Sequence, residues 1–128
     1  MRLALFPDLE PAFNEADMAA LLRRPEQHVR LVFVNDAAVG FVELALRNLV
    51  DGCLSSPVGY LEGIWVAPEF RGRGLSTLLL ESALEWAREQ GCTEFASDSD
   101  LADVEAQAWH RANGFAETFR VVQFRREV

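Results

Sequence analysis

The stretch that most constrains this chain runs from Val58 to Thr77 and reads V-G-Y-L-E-G-I-W-V-A-P-E-F-R-G-R-G-L-S-T. Its first half is apolar and aromatic enough for a buried strand, and Pro68 stops strand pairing. A glycine loop follows, and an amphipathic helix begins at Leu75. Two glycines let a backbone approach a ligand closely, and the amides at a helix start attract anions, phosphates above all. The stretch therefore predicts a strand, a phosphate-binding loop and a helix.

Two widespread phosphate-loop patterns do not fit this loop. The chain contains no Lys, which the P-loop requires, and Gly72-x-Gly74 is followed by Thr77 where the dinucleotide fingerprint needs Gly. What remains is Arg71-Gly72-Arg73-Gly74-Leu75-Ser76 after an apolar strand, and this strongly resembles the acetyl-CoA loop of the GNAT family of N-acetyltransferases. The resemblance implies that these six residues bind the cofactor pyrophosphate. It also implies that Ile64, Trp65 and Val66 pair with the pantetheine arm through backbone groups.

Composition predicts one domain in the cytoplasm. The chain has 128 residues, of which 50% are hydrophobic and 25% charged, as in a soluble globular protein. No apolar run approaches the roughly 20 residues that cross a bilayer, and no signal segment opens the sequence. Cys53 and Cys92 lack metal-ligand spacing, so we expect two reduced thiols and no metal.

The formal net charge of -8 argues against a nucleic-acid partner, because binding to phosphate backbones requires a surplus of cationic side chains. It fits a cationic substrate. Net charge alone is better explained by solubility, so it supports a function only in combination with other observations.

The chain order indicates an α/β fold with a mixed central sheet flanked by helices. The predicted elements are a helix over Glu15–Arg24 with Asn14 as its N-cap, a hairpin of Val29–Val34 and Ala38–Leu46, the Val58 strand, a helix from Leu75 that Gly91 ends, a strand over Cys92–Ser97, a helix over Ala102–Ala112, and a strand or broken strand pair over Phe115–Arg126. In the first helix, the spacing of Met18, Leu21 and Leu22 indicates an amphipathic face. In the long helix, one face is expected to lie on the sheet and consists of Leu75, Leu78, Leu79, Ser82, Ala83 and Trp86. This order matches the GNAT fold, without its usual N-terminal first strand.

Three blocks carry a narrower resemblance. They span Leu46–Val66, Gly91–Asp98 and Asn113–Val121, and they are similar to the aminoglycoside 6'-N-acetyltransferases, the antibiotic-resistance enzymes. The resemblance implies acetyl transfer from acetyl-CoA to the 6'-amine of an aminoglycoside. Two alternatives stay open: a GNAT enzyme acting on another small amine or a protein N-terminus, and a non-catalytic acetyl-CoA-binding protein.

Carboxylates are the candidate catalytic and substrate-binding groups, because they hold cationic sugars and can accept the proton of the amine. Glu62 interrupts an otherwise apolar strand, although a solvent-facing strand-end charge would look the same. Asp98 ends the next strand, where the resembled enzymes contact substrate, but a helix N-cap role for Asp98 or Ser99 competes. Asp51 follows as a substrate candidate, and Phe6 is the expected counterpart of an aromatic wall. Asp100 and Asp103 add further charge.

Two positions in the second half of the chain depart from the family pattern. His110 stands where the family has a Tyr that protonates the departing thiolate, and it is either that acid or a packed helix residue. Asp103 stands where the family has an Asn that contacts the cofactor.

A homodimer is also predicted. Without a first strand, Val29–Val34 would form an exposed sheet edge. In the resembled enzymes the C-terminal strand packs across a twofold interface, which indicates the same use for Thr118–Arg126.

Overall fold

The computed structural model describes all residues from 1 to 128. The elements are α1 (Arg2–Leu5), α2 (Pro11–Leu21), β1 (Gln27–Val34), β2 (Ala37–Arg47), β3 (Val58–Val66), a 3-10 turn over Pro68–Phe70, α3 (Leu75–Glu89), β4 (Phe95–Ser97) and α4 (Val104–Ala112). The chain forms two compact units, Met1–Asp98 and Ser99–Val128. The expectation of a single domain stays a prediction.

The first unit holds one four-stranded sheet in the order β1-β2-β3-β4. The first three strands are antiparallel, and β3 pairs with β4 in parallel, so the predicted mixed α/β sheet is confirmed. The hairpin between β1 and β2 turns at Asn35 and Asp36, both with positive φ, as a two-residue turn that matches strand twist requires.

The core lies between α3 and the sheet. Leu79, Ala83 and Trp86 are buried as predicted, and Gly91 follows the helix with φ of 84°. Leu78 is exposed, however, and Leu80 is buried in its place. The prediction that Leu78 lies on the buried face of α3 was therefore wrong.

A β-bulge at Glu62 divides β3 into two parts that present different faces. Leu61 pairs with Leu44 and Gly63 with Glu43, which leaves Glu62 as the extra residue. Side chains alternate along a regular strand, so one extra residue reverses the faces beyond it. A Cβ built on Gly59 would meet Ala87 of α3, whereas one built on Gly63 would meet Leu5 and Phe6 beside α1.

The N-terminal helix prediction was wrong in its start, and of its predicted apolar face only Leu21 is buried. The helix α2 begins at Pro11, which suits the first helical turn because the ring fixes φ and that N–H has no helical partner. Asn14 is therefore inside the helix rather than its cap. Asn14 and Leu21 are the buried residues, and Met18 and Leu22 are exposed.

Two other expected elements differ. The strand after α3 is limited to Phe95–Ser97, which pair with Gly59–Leu61 near the start of β3. The predicted strand over Phe115–Arg126 was wrong: residues 115 to 128 contain no strand, since a strand forms only against another and none is paired with them. No helix is long and apolar enough to cross a membrane.

Candidate active site

The glycine loop after β3 has the backbone that its sequence requires. Gly72 and Gly74 have φ of 76° and 79°, in the left-handed region that other residues enter at a cost. A Cβ at either position would meet nothing within 4 Å, so the loop is open on that side. Gly74 is the N-cap of α3, and no side chain caps the helix start. The first-turn amides, which include those of Leu75 and Ser76, are thus available to an anion.

The two loop arginines have local partners. The Nε of Arg71 donates to the backbone carbonyl of Val66 at 2.8 Å, which fastens the loop to the end of β3. The guanidinium of Arg73 lies over the ring of Phe70, 5.2 Å from its centroid. Both arginines stay on the exposed surface. They hold the loop in shape and add positive charge beside it.

The strand before the loop has an open edge. Ile64, Trp65 and Val66 pair with β2, but β4 reaches along β3 only as far as Leu61. These three residues therefore have a strand neighbour on one side only. Their side chains are half-buried or buried, and on the unpaired side their backbone groups are open to an extended ligand.

Glu62 is held by Arg47. The guanidinium donates to both carboxylate oxygens, with NH2 at 2.8 Å from Oε1 and 3.0 Å from Oε2. The bulge at this position detaches Glu62 from strand pairing and re-aims its side chain, as bulges near functional sites do. If Glu62 were only a solvent-facing charge at a strand end, it would not need this bidentate arginine partner.

Asp98 is linked to the same cluster through Tyr60. The Tyr60 hydroxyl donates to Oδ2 of Asp98 at 2.5 Å, and the Arg47 guanidinium lies 3.5 Å from the centroid of the Tyr60 ring. Burial, together with the hydrogen bond to Asp98, raises the pKa of Tyr60 well above its usual value. The phenol therefore stays protonated and remains a donor. The structure thus brings Glu62 and Asp98 together through Arg47 and Tyr60.

An acidic cavity of about 260 Å³ lies beside this cluster. It is lined by Arg2, Phe6, Asp17, Leu21, Gln27, Glu43, Leu44 and Glu62. Phe6 and Glu62, both predicted to bind substrate, line it together. An aromatic wall next to carboxylates suits a ligand with apolar and cationic parts.

Five charged or phenolic residues of this region were missed from the sequence. Arg2, Asp17, Arg47 and Tyr60 gave no usable signal, because each is common on surfaces or in strands. Glu43 did give one, since it is a carboxylate within the apolar run Val39–Leu46, the same argument that selected Glu62.

Asp51 lies outside the cavity. It occupies an exposed turn in which the amide of Cys53 donates to the carbonyl of Val50 at 3.0 Å. The loop that follows is tied to Glu94, whose Oε1 accepts from the amides of Leu54 and Ser55, each at 2.7 Å. No contact joins Asp51 to Glu62 or Asp98, so its substrate role stays a prediction.

The second unit holds His110 and Asp103. The Asp103 carboxylate accepts from the amide of Ala106 at 3.0 Å and caps α4, which makes an N-cap role for Asp98 or Ser99 wrong. The Nδ1 of His110 lies 2.6 Å from the carbonyl of Ala106, and the ring packs edge-on against Trp109 and Phe115. Since a carbonyl only accepts, Nδ1 carries the proton in the neutral ring. These contacts are those of a residue packed within its helix. The role of His110 as the acid stays a prediction.

Comparison with known proteins assigns the family. Residues 1–115 match the acetyltransferase (GNAT) family model. An aminoglycoside N(6')-acetyltransferase type 1 from Serratia marcescens is 44% identical over 98% of this chain and 88% of its own length. The protein of the same name from Stenotrophomonas maltophilia is 46% identical over 98% of this chain and 82% of its own.

Solved structures agree with this assignment. AAC(6')-Iy in complex with the bisubstrate analogue CoA-S-monomethyl-acetylneamine is similar at a TM-score of 0.94 and 35% identity, over 100% of this chain and 88% of that one. The apo structure of AAC(6')-IG from Acinetobacter haemolyticus gives 0.90 and 38%, over 94% and 84%. The chain therefore belongs to the acetyltransferase (GNAT) family and groups with its aminoglycoside N(6')-acetyltransferases.

Proposed function

We propose that this protein transfers an acetyl group from acetyl-CoA to the 6'-amine of aminoglycoside antibiotics and so confers resistance to them. The observation that carries the proposal is one constellation in the first unit. A one-sided strand edge follows Glu62 along β3 and leads into an open glycine loop, while Arg47 and Tyr60 connect Glu62 with Asp98. Relatives with that activity match nearly the whole chain.

The glycine loop fits a pyrophosphate. Its left-handed glycines leave the side toward the α3 amides free of side chains, and the helix dipole favours negative charge there. Arg71–Ser76 would hold the phosphates, and the backbone of Ile64–Val66 would hold the pantetheine arm. Acetyl-CoA supplies an acetyl thioester, which is already activated for transfer to nitrogen.

The carboxylates suit a polycationic sugar. Glu62 and Asp98 would accept charge-assisted hydrogen bonds from substrate ammonium groups, and Phe6 would give an apolar wall. The net charge of -8 adds long-range attraction. Asp51 would contribute from its exposed turn.

The reaction forms a C–N bond and breaks a C–S bond, while the amine loses a proton and the thiolate gains one. Asp98 is the assigned acceptor of the amine proton, and Glu62 orients the amine. Because Tyr60 already donates to Oδ2 of Asp98, the second oxygen is the one left for substrate. His110 is the assigned proton donor to the thiolate, from its Nε2–H when the ring is charged. Asp103 would contact the cofactor.

A thiol-release assay dependent on acetyl-CoA tests the proposal. Kanamycin, an analogue bearing a hydroxyl in place of the 6'-amine, and a polyamine are compared. Of these three compounds, we expect only kanamycin to be acetylated. Turnover with the polyamine only would favour a GNAT enzyme for another small amine, and acetyl-CoA binding without any turnover would favour the non-catalytic alternative.

A cytoplasmic homodimer belongs to the same proposal. Residues 115 to 128 form no strand within their unit and expose Phe119, Val121, Val122 and Phe124. The outer edge of β1 also has no strand neighbour. Alternating apolar residues without a partner, and a free strand edge, are both typical of chains that pair with a second copy.

A further inference from the structure

A largely enclosed arginine joins α1 to the sheet and to α2. The side chain of Arg2 is 12% exposed, and its Nε donates to Glu43 in the middle of β2. Its NH1 donates to Oδ1 of Asn14 at 2.8 Å, and its NH2 to Oδ2 of Asp17 at 2.7 Å. No buried side-chain polar atom in the protein lacks a partner. Removing Arg2 would leave Glu43 as an uncompensated buried charge, whereas removing Glu43 would leave Arg2 held only by Asn14 and Asp17.

This arginine is needed because α1 cannot hold its own position. The helix has four residues and none of them is buried, and so short a helix has little stability alone. It is held by Arg2 and by the contact of Leu5 and Phe6 with Gly63. A Cβ on Gly63 would lie 2.8 Å from Leu5 Cδ2 and 2.9 Å from Phe6 Cζ, so the missing side chain permits the approach.

The position of α1 determines where Phe6 lies. Phe6 follows the helix directly, its ring centroid is 5.9 Å from Cζ of Arg2, and it lines the same cavity as Glu62. Glu43 is the strand partner of Gly63, the residue after the bulge. Arg2 and Glu43 therefore connect the aromatic wall to the part of the sheet that carries Glu62.

We propose that Arg2 and Glu43 are a positioning pair that holds α1 and Phe6 against the cavity, and so determine aminoglycoside affinity rather than the rate of acetyl transfer. The substrate named here rests on the proposed function. Neither side chain acts on the reacting atoms. The competing explanation is that Glu43 binds a substrate ammonium directly, without Arg2.

A double-mutant cycle separates the two explanations. Steady-state kinetics with kanamycin compare Arg2→Met, Glu43→Gln and the double variant with the wild-type protein. If the pair acts as a unit, each single change raises KM for kanamycin about tenfold, kcat stays within about twofold, and the double variant is no worse than either single. KM for acetyl-CoA should not change. Arg23→Met, at an exposed arginine just after α2, is the control and should behave as wild type.

Two outcomes of these kinetics would overturn the proposal. If Glu43→Gln raises KM as much in the Arg2→Met background as in the wild type, Glu43 touches substrate itself and the positioning proposal is wrong. Unchanged KM in both single variants would also overturn it.

A second variant guards against simple unfolding. Gly63→Ala leaves the ion pairs intact but places a methyl group against Leu5 and Phe6, so it should raise KM for kanamycin in the same way. Hydrogen exchange gives a readout that needs no turnover. The amides of Ala4, Leu5 and Phe6 bond to Met1 and Arg2 and should lose protection in Glu43→Gln. If the wild-type protein acetylates no aminoglycoside, the proposed function fails, whereas unchanged protection in Glu43→Gln defeats the positioning pair.

Discussion

Gly74 has a backbone conformation that a β-branched residue adopts only with strain. Its φ is 79°, and the space around its Cβ position is open, so a substitution acts through the backbone rather than through a clash. The left-handed region costs an ordinary residue about 1–2 kcal/mol. We expect Gly74→Val to distort the loop and abolish CoA binding in calorimetry, while the circular-dichroism spectrum stays native.

The matched control is Gly91→Val. Gly91 has φ of 84° and equally open surroundings, but it lies beyond the other end of α3. It should lose similar stability and keep CoA affinity. Unchanged affinity in Gly74→Val would remove the loop from the cofactor site.

Asp98→Asn tests the proton acceptor. The change keeps the size of the side chain but removes its charge and basicity, so we expect kcat with aminoglycoside to fall about 100-fold or more while CoA affinity changes little. Glu85→Gln, at an exposed position of α3, is the control. Wild-type turnover in Asp98→Asn would exclude Asp98 from catalysis. Glu62→Gln should chiefly weaken substrate binding.

For individual residues, the sequence predicted those roles that follow from the neighbouring residues in the chain. Glu62 stands out because a carboxylate in an apolar strand is unusual, and Gly74 because it belongs to a pair of glycines between a strand and a helix. Tyr60 and Arg47 do not stand out, since a tyrosine in a strand is ordinary. Their roles arise from the pairing of β2 with β3, which brings residues 13 positions apart in the chain into contact.

Among the elements, the loop between β2 and β3 depends on one carboxylate. Glu94 accepts from Ser55 Oγ at 2.6 Å and from two backbone amides, and these hydrogen bonds hold the pKa of Glu94 below its usual value. A lowered pKa means that the folded loop binds the ionised form better. The tether is therefore complete above the ordinary carboxyl range and is lost as pH falls through the lowered pKa.

We expect the amide NMR signals of Leu54 and Ser55 to move together on acidification, with a midpoint below that of an ordinary glutamate. In Glu94→Gln this transition should vanish, and it should persist in Glu89→Gln, a change at the exposed end of α3. A midpoint at the ordinary value would show that the hydrogen bonds do not hold the loop.

Predictions of helices and strands succeeded where a turn or a periodic pattern is sufficient by itself. They failed where an element forms only if a second element packs or pairs with it. Asn35 and Asp36 define the hairpin by themselves. The predicted helix began only at Glu15, whereas Pro11 starts α2 because a proline suits the first helical turn. The Phe115–Arg126 segment has the alternation of a strand, but no local signal supplies the second strand that pairing requires.

For the whole molecule, that segment leads to the assembly prediction. Light scattering during size exclusion should give a mass twice the 14.3 kDa of one chain. Val122→Glu with Phe124→Glu should reduce it to one chain, because charges on an apolar contact oppose association. Leu54→Glu, at another exposed apolar residue, should leave the mass unchanged. A wild-type mass near 14.3 kDa at micromolar concentration would contradict the dimer.

The one-sided edge of β3 also has a consequence for the lifetime of the protein. A ligand that bonds to Ile64–Val66 binds only the folded chain, so it raises the free energy of unfolding, by about 2.7 kcal/mol when its concentration is a hundredfold above Kd. Protease digestion of the wild-type protein should slow as CoA is added, and it should not slow in Gly74→Val. If CoA slowed the digestion of the wild-type protein and of Gly74→Val equally, protection from proteolysis would not depend on this site. The supply of acyl donor would then govern how long each copy escapes degradation, as well as how fast it works.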